Sequence, residues 1–355
     1  MTGSIRRRTG AGRSALLAVA ALVALALPAA AAQTIAEVAG YTGPDRLQKL
    51  IEGARKEGNL TVYSSAPVED MNALFEAFEK KYGVKVKLWR GSSENLLQRA
   101  VVEARANRRE ADIYETNGPE MEALHREKLM QEIKSPVLDD LMPQAILPHR
   151  EWIGTRLNVF AAGYNTGQIR KEDLPKTYRD LADPKWKGKL GIEAEDVDWF
   201  ATVATALGED KAVALFRDIV KANGISVRKG HTLLTNLVAS GEVPMGLTVY
   251  NYKIDQLRRG GAPVDWFFLA PVVARVNGVG VSRTAPHPHA AALFFDFELS
   301  EGQKILAERD FWPTNRKVRE VPADIELVFA NSALMLDQNA KWAKLYKEIF
   351  TNQSR

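Results

Sequence analysis

The chain has 355 residues, no cysteine, 46% hydrophobic residues and a formal net charge of +4. The absence of cysteine excludes disulfide bonds, thiolate metal sites and a cysteine nucleophile. The first 32 residues contain four arginines and no acidic residue, so the rest of the chain is neutral overall. The basic balance of the whole chain therefore gives no indication of nucleic-acid or membrane binding.

Residues 1–32 have the features of a secretory leader. The basic residues Arg6–Arg8 precede an apolar run, Ala15–Leu27, and the small residues Ala30–Ala32 follow. This order is typical of a signal peptide cleaved near Ala32, although it leaves the export route open. The apolar run is shorter than the roughly 18–20 residues needed to span a bilayer. We expect a periplasmic protein without a membrane anchor, since no cysteine is present to carry a lipid.

The roughly 320 residues that follow exceed the usual size of one hydrophobic core, which predicts two lobes. After a helical segment at 33–58, strands alternate with helices, which is typical of a parallel sheet with flanking helices. The strands are predicted at Leu60–Ser64, Val84–Leu88 and Ala111–Glu115, and the helices at Asp70–Tyr82, Ser93–Ala104 and Pro119–Leu129. Ligands bind at the carboxyl ends of such strands, so the loops that follow these strands are candidate binding loops.

An extended run at Asn158–Tyr164 is predicted to cross into the second lobe, and Trp266–Val273 is predicted to return. Between them we predict strands at Leu190–Ile192 and Met245–Val249 and helices at Trp199–Leu207, Asp210–Ala222 and Leu233–Ser240. An apolar helix is predicted at Pro286–Leu299. The predicted boundaries are 33–163 for lobe 1 with 270–312 returning to it, and 164–269 for lobe 2 with the C-terminal helices of 313–355 packing on it.

Four stretches carry a family resemblance: Tyr164–Thr166, Asp180–Ile192, Leu237–Leu247 and Ala285–Glu308. Together they resemble the family 1 extracellular solute-binding proteins, in the branch that holds ferric-ion, thiamine and phosphonate binders. The resemblance implies the α/β periplasmic binding protein type II fold, with two lobes that close on a ligand in the cleft between them. It also implies no catalysis, no cofactor, and delivery of the ligand to an ABC permease and its ATPase.

Hydroxyl and amide side chains at the strand ends of lobe 1 are candidate ligand contacts. Ser64 and Ser65 follow the first strand, Ser92 and Ser93 begin a helix, and Asn117 follows the third strand. Hydroxyls and free backbone N–H groups at a helix start can hold an anionic oxygen. Simple helix capping is the alternative for the pair at the helix start.

Charged side chains in lobe 2 give a second set of candidates. Three acids, Glu195, Asp196 and Asp198, with an exposed Trp199 would suit a positively charged organic ligand. Acidic residues in the first turn of a helix are also expected from the helix dipole alone. His231 lies in a basic loop, Arg228–His231, which would bind a carboxylate or a phosphate, or would simply be solvated.

Two tyrosines follow the predicted strand that ends near residue 249. In an extended segment Tyr250 and Tyr252 point to the same side, so both rings would line one pocket. Phenol oxygens suit ferric iron when ionised, and aromatic rings suit a cation or a heteroaromatic ligand. Packing of the rings on the strand is the alternative.

The resemblance does not extend to a complete ferric site. Ferric-binding relatives use a histidine after the first strand, a glutamate after the third strand and two adjacent tyrosines. Here residues 64–70 contain no histidine, Asn117 stands at the glutamate position, and Lys253 follows Tyr252. A ferric site would be limited to Tyr250, Tyr252 and Glu195. We therefore expect a small organic ion (an amine, thiamine-like or phosphonate-like) and keep ferric iron as the alternative.

The sequence contains no nucleophile elbow, no phosphate-binding P-loop and no H-E-x-x-H motif. We therefore expect a monomer that binds a small molecule without transforming it. A periplasmic ligand sensor or an enzyme is the alternative from another class.

Overall fold

The computed structural model describes Met1 and residues 33–352, so the predicted leader lies outside the described residues apart from Met1. Within this part, the strands belong to one sheet of twelve. Their bounds are β1 Asn59–Ser64, β2 Lys85–Arg90, β3 Ile113–Asn117, β4 Met130–Gln131, β5 Ile153–Asn165, β6 Leu190–Glu193, β7 Ser226–Arg228, β8 Met245–Tyr250, β9 Val264–Phe267, β10 Val272–Ser282, β11 Trp312–Pro313 and β12 Leu327–Phe329.

Helices cover both faces of this sheet, and none in the described residues is long and apolar enough to cross a membrane. Their bounds are α1 Ile35–Gly40, α2 Arg46–Glu57, α3 Val68–Tyr82, α4 Ser93–Arg105, α5 Gly118–Arg126, α6 Val197–Leu207, α7 Glu209–Asn223, α8 His231–Ser240, α9 Asn251–Arg259, α10 Pro288–Leu299, α11 Gly302–Glu308, α12 Ser332–Asp337 and α13 Asn339–Tyr346. Local sequence explains several ends: α3 follows Pro67 and stops at Gly83, whose φ of 76° favours glycine.

The sheet has the strand order β2-β1-β3-β10-β5-β8-β6-β7. In lobe 1, β1 pairs in parallel with β2 and β3. In lobe 2, β6 pairs in parallel with β7 and β8. The predicted α/β fold is confirmed. The parallel pairs lie in the outer part of each lobe, whereas the central strand β5 pairs antiparallel with β10, β8 and β9.

Strand β5 joins the two lobes. Its first half, up to Val159, pairs with β10, and its second half, from Phe160, pairs with β8 and β9. Every residue of β5 and β10 is buried, as expected for central strands covered on both faces.

The predicted return crossing at Trp266–Val273 contains the change of lobe. Residues of β9 pair with the second half of β5 inside lobe 2, and β10, which begins at Val272, pairs with the first half of β5 in lobe 1. The return is not one continuous strand. The apolar run of the sequence conceals a break between two strands, where Pro271 interrupts the extended chain. In the C-terminal segment α12 packs against α5 and α13 packs against α6, so this segment touches both lobes and not lobe 2 alone.

Candidate functional site

Three turns of lobe 2 meet at the edge of the sheet that faces lobe 1. The turn after β6 carries Asp196 and Asp198 into α6, the loop after β7 starts α8 at His231, and β8 passes into α9 at Tyr250. These turns are neighbours because β6, β7 and β8 run parallel and end at one edge. We call the side chains of Asp196, Asp198, His231 and Tyr250, together with that of Tyr252, the lobe 2 wall.

Arg275 of β10 brings a buried positive charge to the lobe 2 wall. Its Nε donates to Asp198 Oδ2 at 2.5 Å, Nη2 donates to Asp196 Oδ1 at 3.1 Å, and Nη1 donates to the Tyr250 hydroxyl at 2.6 Å. A second hydrogen bond to Asp198 makes that pair bidentate. Arg275 is 5% exposed, so these carboxylates supply the compensation that a buried guanidinium requires.

A carboxylate–imidazole group lies next to this pair. Asp196 Oδ1 lies 3.0 Å from His231 Nε2, and Glu193 accepts hydrogen bonds from the backbone N–H groups of Gly230 at 2.7 Å and Glu195 at 2.5 Å. One ligand atom each of Glu193, Asp196 and His231 lies within 4.8 Å of the others, a spacing that can hold a metal ion.

Burial affects the two carboxyls of this group differently. Burial and the nearby Asp196 raise the pKa of Glu193. Burial also opposes ionisation of Asp196, but its contacts with His231 and Arg275 outweigh that effect and lower its pKa. Asp196 is therefore the more acidic member of the pair.

The aromatic rings of the lobe 2 wall form a continuous stack. The ring of Tyr250 lies 4.1 Å from His231 at 15°, and 5.8 Å from Tyr252 at 16°. Tyr252 in turn contacts Phe311, with ring centroids 4.1 Å apart. The prediction that Tyr250 and Tyr252 share an extended strand is wrong, because β8 ends at Tyr250 and Tyr252 lies in α9. The two rings are nevertheless brought together, by the turn into the helix.

The predicted serines and the amide of lobe 1 lie at the ends of β1 and β3 and at the start of α4, and we call them the lobe 1 wall. Ser64 is fully buried and donates to Glu115 Oε2 at 2.9 Å, so it serves the interior of lobe 1. Ser92 accepts from the backbone N–H of Asn95 at 3.2 Å and caps α4. The remaining pairs are Thr116 to Ser65 at 2.9 Å, Asn117 to Ser93 at 2.9 Å and Asn277 to Asn117 at 3.0 Å.

The cleft is closed in this structure. Gln256 of α9 donates to Asp70 Oδ1 of α3 at 3.3 Å and to the carbonyl oxygen of Arg309 at 3.0 Å, which ties lobe 2 to lobe 1. Tyr250 and Tyr252 are buried, with 5% and 7% of their surfaces exposed. A ligand would reach them only when the lobes open.

Glu120, at the start of α5, adds a carboxyl from lobe 1. Burial raises its pKa to about 7, an effect that Arg275 partly offsets and that Asp198 and Glu94 reinforce. These interactions place Glu120 near Arg275 and Asp198. The charged groups named here are thus mostly acidic, which favours a positively charged ligand.

Two predicted site residues of lobe 2 lie outside the wall. Trp199 is 1% exposed and packs against Tyr178 and Phe216, with centroid distances of 6.0 and 5.6 Å, so the prediction that it is exposed is wrong. It follows Asp198 on α6, and one step along a helix turns a side chain from the cleft to the core. Glu195 is exposed and pairs with Lys229 at 2.5 Å.

Arg275 and Glu120 were not predicted as site residues. Arg275 stands in an otherwise apolar strand sequence, VVARVNGVGV, and a charge within a buried strand is a signal of a paired or functional group. Glu120 gives no such signal, because an acidic residue in the first turn of a helix is expected in any case.

A second group of potential metal ligands lies on α5 and the segment before β5. His125 Nδ1 lies 2.7 Å from Glu151, and His149 Nε2 lies 3.3 Å from Glu122. The two imidazole rings stack 3.8 Å apart at 13°. Parallel rings direct their nitrogen lone pairs side by side and not toward one point, so this arrangement does not form a coordination site as it stands.

The fold and the cleft define a class: two-lobed α/β proteins that enclose a small solute. The chain belongs to the bacterial extracellular solute-binding protein family, whose model matches residues 64–305. It is 28% identical over 277 residues to iron uptake protein A1 of Synechocystis sp., covering 73% of this chain and 76% of that protein. It is 26% identical over 267 residues to the Fe(3+)-binding periplasmic protein of Serratia marcescens, covering 72% and 78%.

Solved structures agree on the fold. Iron-bound HitA from Pseudomonas aeruginosa superposes with a TM-score of 0.71 at 24% identity, covering 82% of this chain and 99% of that one. The periplasmic binding protein AfuA from Actinobacillus pleuropneumoniae, solved with fructose-6-phosphate, gives 0.73 at 23% identity, covering 83% and 99%. One fold thus serves solutes of opposite charge, so the cargo must be argued from the residues of this cleft.

Proposed function

We propose that this chain is the periplasmic binding component of an ABC importer and that its cargo is ferric iron. It would be exported by its leader, act as a monomer, and pass the ion to a permease that is powered by a separate ATPase. The family match supports transport, and the relatives named for iron support the cargo. This choice reverses the expectation from sequence, which placed a small organic ion first.

The observation that carries the cargo is a group of buried carboxylates and phenols around Arg275. The Tyr250 hydroxyl shares this guanidinium with Asp196 and Asp198, the ring of Tyr252 stacks on Tyr250, and Glu120 lies near Arg275 and Asp198. Hard cations prefer oxygen ligands, and a trivalent ion requires several anionic ones. Burial raises the pKa of both phenols, so an ion that binds them must displace their protons.

A small organic cation is the second candidate. The residues that depart from the ferric-binding pattern favour it: Asn117 at the glutamate position and Lys253 after Tyr252. Stacked aromatic rings with nearby carboxylates also suit an organic ammonium or a thiamine-like ring. The acidic character of the cleft argues against a phosphonate-like anion.

The test is a titration of the purified protein with ferric citrate, followed by the visible charge-transfer absorption of a phenolate–iron bond. We expect a coloured one-to-one complex, and at least about a tenfold weaker affinity in Tyr252→Phe. Tyr41→Phe is the matched control, because Tyr41 bonds to Asp45 and lies outside the cleft. A thermal-shift series with thiamine, amines and phosphonates tests the second candidate: stabilisation by one of these, without any colour from iron, overturns the ferric proposal.

A further inference from the structure

Arg275 occupies the position in which a bound cation would have the most favourable contacts with the lobe 2 wall. Its guanidinium contacts both carboxylates of the lobe 2 wall, Asp196 and Asp198, and the hydroxyl of Tyr250. The ring of Phe160 lies 4.8 Å from the guanidinium carbon and adds a cation–π contact. The side chain therefore uses the oxygens that a metal ion would need.

The arginine does not neutralise the whole group. Two carboxylates contact the guanidinium, Glu193 lies beside Asp196 and His231, and Glu120 lies near Arg275 and Asp198, so four carboxyls are grouped near one guanidinium and one imidazole. A simple structural ion pair needs one carboxylate for one guanidinium. The additional acidic groups can accommodate additional positive charge.

The strand that carries Arg275 belongs to a different lobe from its carboxylate partners. Its backbone belongs to β10, which pairs with β3 of lobe 1, whereas both of its carboxylate partners lie at the start of α6 in lobe 2. The side chain therefore bridges the two lobes near the crossing strands. Because it contacts the acids of lobe 2, a cation that binds these acids must compete with it.

We propose that Arg275 is a specificity-determining residue. Its guanidinium prevents divalent metal ions from binding to the Glu193–Asp196–Asp198–His231 group and is displaced only by cargo of higher charge. The proposal rests on the proposed capture of a cation in this cleft. Coulomb attraction grows with the charge of the ion, so a trivalent ion gains more than a divalent one from displacing the same guanidinium. The bidentate contact to Asp198 makes that displacement costly.

The test compares Arg275→Gln with the unaltered protein, using Co²⁺ as the probe and its visible d–d absorption and calorimetric titration as readouts. We expect Arg275→Gln to bind one Co²⁺ per chain at least about tenfold more tightly than the unaltered protein. Adding His231→Ala to this variant should remove the gain, because it removes the imidazole ligand. Lys229→Gln is the matched control, since this exposed cation pairs with Glu195 and should leave Co²⁺ affinity unchanged.

Loss of a buried charge can prevent folding, so Arg275→Lys is a second variant. A lysine ammonium cannot contact both carboxylates as a guanidinium does, and we expect an intermediate gain in Co²⁺ affinity. Equal Co²⁺ affinity in the unaltered protein, Arg275→Lys and any folded Arg275→Gln overturns the proposal. If the Arg275 variants bind Co²⁺ more tightly but the unaltered protein does not bind ferric iron, only the ferric cargo is refuted. If the unaltered protein binds ferric iron but the variants show no increase in Co²⁺ affinity, only the role of Arg275 is refuted.

Discussion

The two walls of the cleft are built from different chemistry. The lobe 1 wall consists of serines and an amide, and their hydrogen bonds are made within lobe 1: Ser64 with Glu115, Ser92 with the start of α4, and Ser93 with Asn117. The lobe 2 wall consists of carboxylates, an imidazole and two phenols around Arg275. One wall is therefore neutral and internally satisfied, while the other carries charges that respond to a ligand.

This difference indicates which wall selects the cargo. Neutral side chains that already cap helices and bridge strands have little bonding capacity left for a ligand. Buried ionised groups interact strongly with any charge that enters, because buried charges are screened much less than exposed ones. We infer that the lobe 2 wall selects the ligand and that the lobe 1 wall mainly shapes the cleft, with Glu120 as its acidic exception.

The largest effect is expected behind the lobe 2 wall. Trp199→Ala removes a ring packed against Tyr178 and Phe216 and should lower the free energy of unfolding by about 3–5 kcal/mol. Urea denaturation measures this loss. Trp89→Ala on lobe 1 is the control and should cost less, since Trp89 is only partly buried. If Trp199→Ala keeps its stability but loses ligand binding, Trp199 contributes to the binding site, and the contrast between the two walls has to be revised.

A smaller effect, dependent on pH, is expected from Glu120. Its pKa of about 7 lies above its ordinary value of 4.5, so between these values the folded chain binds more protons than the unfolded chain. The contribution of Glu120 to stability therefore falls as pH rises through this window, by at most about 1.4 kcal/mol per pH unit. Urea denaturation across the window should show this fall in the unaltered protein and a flatter profile in Glu120→Gln.

The same carboxyl should affect cargo binding in the opposite direction. Ionised Glu120 attracts a cation, so affinity for the cation should rise with pH through about 7, and Glu120→Gln should weaken this dependence. If stability and affinity depend on pH in the same way in Glu120→Gln and in the unaltered protein, Glu120 is not part of the site, and lobe 1 contributes no charge to it.

The smallest effect is expected on the lobe 1 wall. Ser92→Ala removes the cap of α4 and should cost about 1 kcal/mol of stability. Ligand affinity should stay within about twofold, because the hydroxyl already accepts a backbone hydrogen bond. Thermal denaturation and the ferric titration measure the two quantities. A loss of affinity as large as that of Tyr252→Phe would show that both walls select the cargo.

Much of the fold was predictable from periodicity. The helix predicted at Asp70–Tyr82 is α3, Val68–Tyr82, and the strand predicted at Leu60–Ser64 is β1, Asn59–Ser64. Patterns failed where a helix begins directly after a strand, with no turn residues between them. Tyr252 was assigned to an extended segment although α9 begins directly after β8.

The sequence by itself determined the α/β class, the order of the elements and the turns in which binding residues lie, because these depend on local hydrophobic patterns and on helix and strand ends. Only the tertiary structure decided which side chains meet. Asp198 and Trp199 are neighbours on α6, yet one bonds to Arg275 and the other is buried in the core of lobe 2. Arg275 lies 77 residues from Asp198, and their pairing depends on β10 returning beside β5 and on burial that makes an unpaired charge too costly.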